Sequence, residues 1–171
     1  IGAINRENNF SHNVVDPQVL TCELYNCFSY GAVGYAGYQF NWGAQAATNS
    51  ILRNNVSYND ANAALVDTWV THDHNSWNAG YTVTAADFVS LDTSELFLSR
   101  RPDGSLPIIN FGRLVSGSDL INTGVDVGLA YKGTYPDLGP FEYLTAYYIK
   151  STGSDSNDGG SDATAWQTIT K

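Results

Sequence analysis

A chain of 171 residues with 43% apolar and only 15% charged residues is long enough for a buried core and too apolar to stay disordered. Its net charge of −9 opposes binding to nucleic-acid phosphates, and no apolar run is long enough to cross a membrane as a helix. Low charge with frequent Gly, Asn, Ser and Tyr favours short strands and turns over helices.

Residues 1–80 carry a short repeat. NNFSH (8–12), NCFSY (26–30) and NNVSY (54–58) share Asn, then any residue, then Phe or Val, then Ser, then Tyr or His; HNSWN (74–78) is a weaker copy. Such spacing predicts a solenoid, in which each unit buries its apolar face only by stacking on the next. The units are short, rich in β-branched and aromatic residues, and bounded by Asn and Gly, so they predict strands and turns. Asn suits the turns twice over: it tolerates left-handed backbone, and its amide can pair with the equivalent Asn on the next rung. Of 16 Asn residues, 13 precede residue 79, as a ladder confined to these rungs requires. The expected fold is all-β, a right-handed parallel β-helix with an irregular carboxyl-terminal cap. Cys22 and Cys27 read as small core residues stacked on neighbouring rungs, and His12 as the Tyr-equivalent of its repeat. Asn55-Val56-Ser57 fits a glycosylation sequon, but a ladder Asn would be buried.

Residues 81–142 change character and are expected to cap the last rung against an open sheet edge. Thr84, Asp87, Phe88 and Leu91 predict a helix start with one apolar face. RRPDGSLP (100–107) predicts a turn, and the segments 109–128 and 136–142 read as Gly-broken extended chain. Residues 143–171 change again, to a strand, a polar loop GSDSNDGGSD and a second apolar stretch; they read as the start of a second β-helix-like module.

The stretch running from AADFVSLDTSELF (85–97) to PDLGPFE (136–142) resembles the carboxyl-terminal portion of family 9 polysaccharide lyases, pectate lyases of the right-handed parallel β-helix class. YNCFSYGAVGYAGYQFN and LRNNVSYND resemble that family's last rungs, with their Asn ladder. The resemblance covers roughly residues 10–142, and YYIKSTGSDSNDGGSDATAWQTITK resembles the opening of such a domain. It implies a secreted or cell-surface, bacterial protein acting on acidic, pectate-like polysaccharide, beside adjacent β-helix modules of the same polypeptide.

The implied reaction is β-elimination. A base takes the C5 proton beside the uronate carboxylate, the C4–O bond breaks, and calcium held by carboxylates supports the anionic state. In the family the base is a Lys and the calcium sits in an Asp cluster, on rungs earlier than those present here. Lys132, Lys150 and Lys171 lie outside the Asn-rich rungs, and Asp60, Asp67 and Asp73 are isolated in sequence, so no catalytic residue is carried over. The chain is thus expected to be a fragment whose catalytic rungs lie elsewhere. Arg53, Arg100 and Arg101 are candidate partners for uronate carboxylates, against ordinary salt bridging. Trp42 is a candidate sugar-stacking residue, against a place in the stacked core. Asp155, Asn157, Asp158 and Asp162 offer closely spaced oxygens for calcium, against a solvated turn. His72 and His74 flank Asp73 without an evident third ligand and read as a polar turn. The competing functional reading is a non-catalytic cell-surface module that binds glycan or serves as structure.

Overall fold

The computed structural model describes residues 8–13, 21–42, 50–78, 80–144, 148–157 and 163–169. Eight strands come first: β1 (Asn8–Asn13), β2 (Glu23–Tyr25), β3 (Phe28–Tyr30), β4 (Ala36–Trp42), β5 (Ile51–Arg53), β6 (Val56–Tyr58), β7 (Ala64–Val66) and β8 (Thr71–Asp73). They pair only with later or earlier copies of themselves, in the orders β1-β4-β7, β2-β5-β8 and β3-β6, and every one of these pairings is parallel. That is a parallel β-helix. One coil takes 28 residues from Cys27 to Asn55, and the next takes 20 from Asn55 to Asn75.

The two expected duties of Asn fall on adjacent positions. Asn26, Asn54 and His74 open the corner after β2, β5 and β8 with φ of 50°, 57° and 52°, the left-handed region that Asn tolerates. The residue after each corner forms the ladder. Asn55 accepts from the Cys27 N–H at 2.9 Å and donates to Leu24 O at 2.9 Å and to Asn75 Oδ1 at 2.8 Å. Asn75 donates in turn to Leu52 O at 2.8 Å, and Asn78 Oδ1 ends the series by accepting from the Asn75 amide. Asn55 is fully buried, so the sequon it heads is closed off.

Two details of the repeat reading are corrected. NCFSY and NNVSY do stack residue on residue, with Phe28 opposite Val56 and Tyr30 opposite Tyr58. NNFSH does not join them: it lies in β1, where Phe10 pairs with Tyr38 and their rings stack at 5.0 Å. His12 is therefore not the equivalent of Tyr30. The cysteines also share one rung, flanking β2, rather than occupying neighbours; Cys22 N–H bonds Ser50 Oγ and Cys27 N–H bonds Asn55 Oδ1 on the next coil.

The interior of the coil holds Tyr38, Phe40, Leu52 and Val70, with Leu24 and both cysteines against them. A second core lies outside the coil. Phe28 and Val56, one from each rung, pack with Phe88, Phe111, Leu114, Leu120 and Leu138. The 81–142 segment thus clads the flank of β3 and β6 across two rungs rather than only closing the last. Asn54 docks it: its amide donates to Val125 O and its Oδ1 accepts from Val125 N–H, both at 2.8 Å. The predicted helix at Thr84 stops after one 3-10 turn, Ala85–Asp87. The start signal is real, since Asp87 accepts from both the N–H and the hydroxyl of Thr84. Phe88 and Ser90 then bridge Leu114 and Phe111, which pulls the chain extended before a second turn can form. A further 3-10 turn, Thr93–Phe97, is capped by Asp92, which accepts from Ser94 N–H. Beyond residue 147, Ile149 and Trp166 form a parallel bridge over the buried Ala165. Among the described residues, no helix is long and apolar enough to cross a membrane.

Candidate functional site

On the β2-β5-β8 sheet, register sets Tyr25, Arg53 and Asp73 side by side, one per rung. Arg53 grips Asp73 with two bonds, Nε to Oδ1 at 2.9 Å and Nη2 to Oδ2 at 3.0 Å. His74 Nδ1 also lies 2.9 Å from Asp73 Oδ1. Partial burial pushes the Asp73 carboxyl up, but the hydrogen bonds and charges of Arg53 and His74 prevail and hold it below its ordinary value. Asp73 raises Arg53 in return. A guanidinium held this way is a fixed, neutralised element of the strip, not a base. His72 faces Asn78, with Nδ1 2.8 Å from the amide nitrogen.

The other expected contacts are dispersed. Arg100 donates from Nη1 to Gly104 O at 2.9 Å, and Arg101 N–H bonds Ser105 O, so both belong to the exposed Pro-Asp-Gly turn. Trp42 ends β4 opposite Asn13, and its side chain lies outside the described residues. Asp155 organises its own turn: Oδ1 accepts from the N–H groups of Gln167 and Thr168, and Oδ2 from Thr168 Oγ1. Asn157 receives the indole N–H of Trp166 on its carbonyl and donates from its side chain to Ala165 O. Asp158 and Asp162 lie outside the described residues. Among the described residues, no three His, Cys, Asp or Glu side chains gather as a metal centre would require.

Sequence reasoning passed over Asp60 as isolated. The structure puts it in a cleft of about 540 Å³ along the corner between β3 and β4 and between β6 and β7, with Tyr30, Val33 and Asn59 among the walls. Its carboxylate accepts from the Ala32 N–H at 2.7 Å and from Ser57 Oγ at 2.5 Å. Burial raises its pKa, against the pull of those donors. The signal lay in the coil length, since Ala32 and Asp60 are 28 residues apart, the same interval as Cys27 and Asn55. Among the described residues, no Lys stands on a strand.

These features find close parallels. A family model described as rhamnogalacturonan lyase-like, C-terminal, matches residues 68–170. Pectate lyase L of Dickeya dadantii is 41% identical over 106 residues, which are 61% of this chain and 24% of that protein. Pectate lyase L of Dickeya chrysanthemi matches over the same length at the same identity. This chain thus spans about a quarter of the curated relatives it matches. Among solved structures, pectate lyase Pel9A superposes with a TM-score of 0.66 at 34% identity, over 79% of this chain and 33% of that one. A rhamnogalacturonan lyase superposes with a TM-score of 0.53 at 21% identity, over 66% of this chain and 28% of that one, which speaks to fold alone. The family match takes in more than half the residues, and the chain belongs to the rhamnogalacturonan lyase-like, C-terminal family and with it to the pectate lyase-like proteins.

Proposed function

We propose that the chain is the end-rung and cladding portion of a polysaccharide lyase that cleaves acidic, pectate-like polysaccharide by β-elimination, with the reactive rungs outside this chain. The observation that carries the proposal is the similarity to pectate lyases over rungs and cladding together, against only a quarter to a third of their length. In this reading the base is a Lys or Arg of depressed pKa on another rung, taking the C5 proton as the C4–O bond breaks. Calcium, where bound, would neutralise the uronate carboxylate and acidify that proton.

The residues here have supporting roles. Arg100 and Arg101, exposed on their turn, are proposed to meet polymer carboxylates at the edge of the groove; Arg53 would do so only by sharing its guanidinium with Asp73. Trp42 is proposed as a sugar-stacking platform. A calcium ion on Asp155, Asn157, Asp158 and Asp162 would have to share the oxygens that Asp155 now turns to Gln167 and Thr168, and no step is assigned to it. We propose the organisation as rungs over 1–80, cladding over 81–142 and a further β-helix-like module from 143. The parallel Ile149–Trp166 bridge supports that last part, while the family match runs on to residue 170. A secreted or surface-exposed bacterial protein is the matching location.

The test compares this chain with a version extended upstream by its parent gene. Each is mixed with polygalacturonate and calcium, with a chelator control, and unsaturated uronide is followed by ultraviolet absorbance. Calcium-dependent product from the extended form alone is the expected result. No product from either form, on several uronates, would favour a non-catalytic glycan-binding or structural module.

A further inference from the structure

The cladding segment holds a cavity of about 340 Å³ with a composition unlike the polar rung surfaces. Leu96, Leu98, Leu106, Pro107, Ile109 and Phe141 supply its apolar walls. Leu96 and Ile109 also pack on the buried core, so that side of the cavity is anchored. Arg113 enters among them. Its Nε donates to Ile109 O at 2.7 Å, and its guanidinium carbon sits 4.6 Å from the centre of the Phe141 ring. These two contacts set the plane of the guanidinium. No described residue accepts from its Nη groups or forms an ion pair with it. Glu95 is the acidic side chain on the wall, but it is turned away to Ser90 Oγ and the Asn110 N–H, which hold its carboxyl below the ordinary range.

We propose that this cavity binds a small aromatic carboxylate. An oriented guanidinium with two free Nη groups matches the two oxygens of one carboxylate. The rest of the lining offers burial to a flat apolar body and almost no hydrogen bonds. A sugar there would lose water from its hydroxyls without replacement, which disfavours a uronate of the polymer. The volume sits near the lower end of small-molecule sites, roughly 300–1,000 Å³, which suits a single ring with a short acid arm. Leu98 and Leu106 flank the turn that carries Arg100 and Arg101, but the proposal does not depend on the polysaccharide reading.

Calorimetric titration of the 171-residue chain with trans-cinnamate and benzoate tests the proposal, with cinnamamide and monomeric galacturonate as comparisons. Saturable one-to-one binding of cinnamate is expected, with cinnamamide weaker by about tenfold or more, the loss of one charge-assisted pair. Arg113→Gln should weaken cinnamate by a similar factor. Because Arg113 also braces the cladding, Leu106→Glu serves as a second variant: Leu106 is 68% exposed at the open wall, so the fold should hold while the added charge repels the ligand. Cinnamamide binding as well as cinnamate, galacturonate binding more tightly, wild-type affinity in Leu106→Glu, or no saturable binding at all would each overturn it.

Discussion

Replacing Asn55 by Ala removes the central rung of the ladder. The side chain makes three hydrogen bonds, one accepted from Cys27 N–H and two donated, to Leu24 O and Asn75 Oδ1. After truncation Asn75 Oδ1 still receives the backbone N–H of residue 55, at 3.0 Å. Cys27 N–H loses its partner, whereas Leu24 O keeps the ladder bond from Arg53 N–H that the parallel Tyr25–Arg53 register provides. An unsatisfied buried polar group costs about 1–3 kcal/mol, so the single orphaned Cys27 N–H predicts a loss of about 2 kcal/mol. Asn55→Asp separates hydrogen bonding from shape. It keeps the acceptor for Cys27 but sets a carboxylate oxygen against Leu24 O and Asn75 Oδ1, both within 2.9 Å of the present donor. It should be no more stable than Asn55→Ala at neutral pH and should recover as acid restores a donor. Urea denaturation followed by circular dichroism measures both, with exposed Asn59→Gly, at φ 57°, as a control expected within about 0.5 kcal/mol of wild type. A loss below about 1 kcal/mol for Asn55→Ala would refute the ladder as a stabilising element.

Three further outcomes follow from single contacts. Gly37→Ala should destabilise by about 1–3 kcal/mol in the same assay, because a Cβ there would lie 2.3 Å from Asp60 Oδ2 and 2.6 Å from Ser29 Oγ. Asp60 has a raised folded-state pKa, so the folded chain holds that proton more tightly than the unfolded one. Its contribution is complete at acidic pH below the ordinary carboxyl value and fades as pH rises through the raised value. Asp60→Asn should lack that decline, and parallel stability profiles for the two proteins would contradict the assignment. Leu120→Ala, at a fully buried position in the outer core, should cost about 2–5 kcal/mol. It should also speed amide exchange across 85–138 before the ladder opens; equal exchange in both regions would argue that the cladding and the coil are one cooperative unit.

What the sequence revealed and concealed has a common physical origin. NCFSY and NNVSY announced their stacking because each residue type serves the same file on successive coils, Phe28 over Val56 and Tyr30 over Tyr58. NNFSH matched the pattern only by composition; pairing with β4 is decided by the whole coil length, which a five-residue match does not contain. The cap at Thr84 was legible because Asp87 lies three residues on, yet helix length was not, since the bridges of Phe88 and Ser90 to residues beyond 110 are long-range. The site residues fared similarly. Arg53 was legible as a cation, but its partner Asp73 sits 20 residues away on a shortened coil. Asp60 looked isolated until the 28-residue turn brought it to Ala32. Arg113 stayed hidden because only folding brings the 95–98 turn, residues 106–109 and Phe141 around it.

The central proposal is that this chain supplies end rungs and cladding to a lyase whose chemistry resides elsewhere. Its most direct test is a chimera in which the 106-residue stretch of Dickeya dadantii pectate lyase L that matches this chain is replaced by the matching stretch from this chain. Folding is verified by circular dichroism, and pectate cleavage is followed by ultraviolet absorbance. Cleavage within about tenfold of the parent enzyme, a shift of roughly 1.4 kcal/mol in barrier, is the predicted result. A well-folded chimera that cleaves nothing would show that the exchanged stretch holds reacting groups this chain lacks, and would contradict the account.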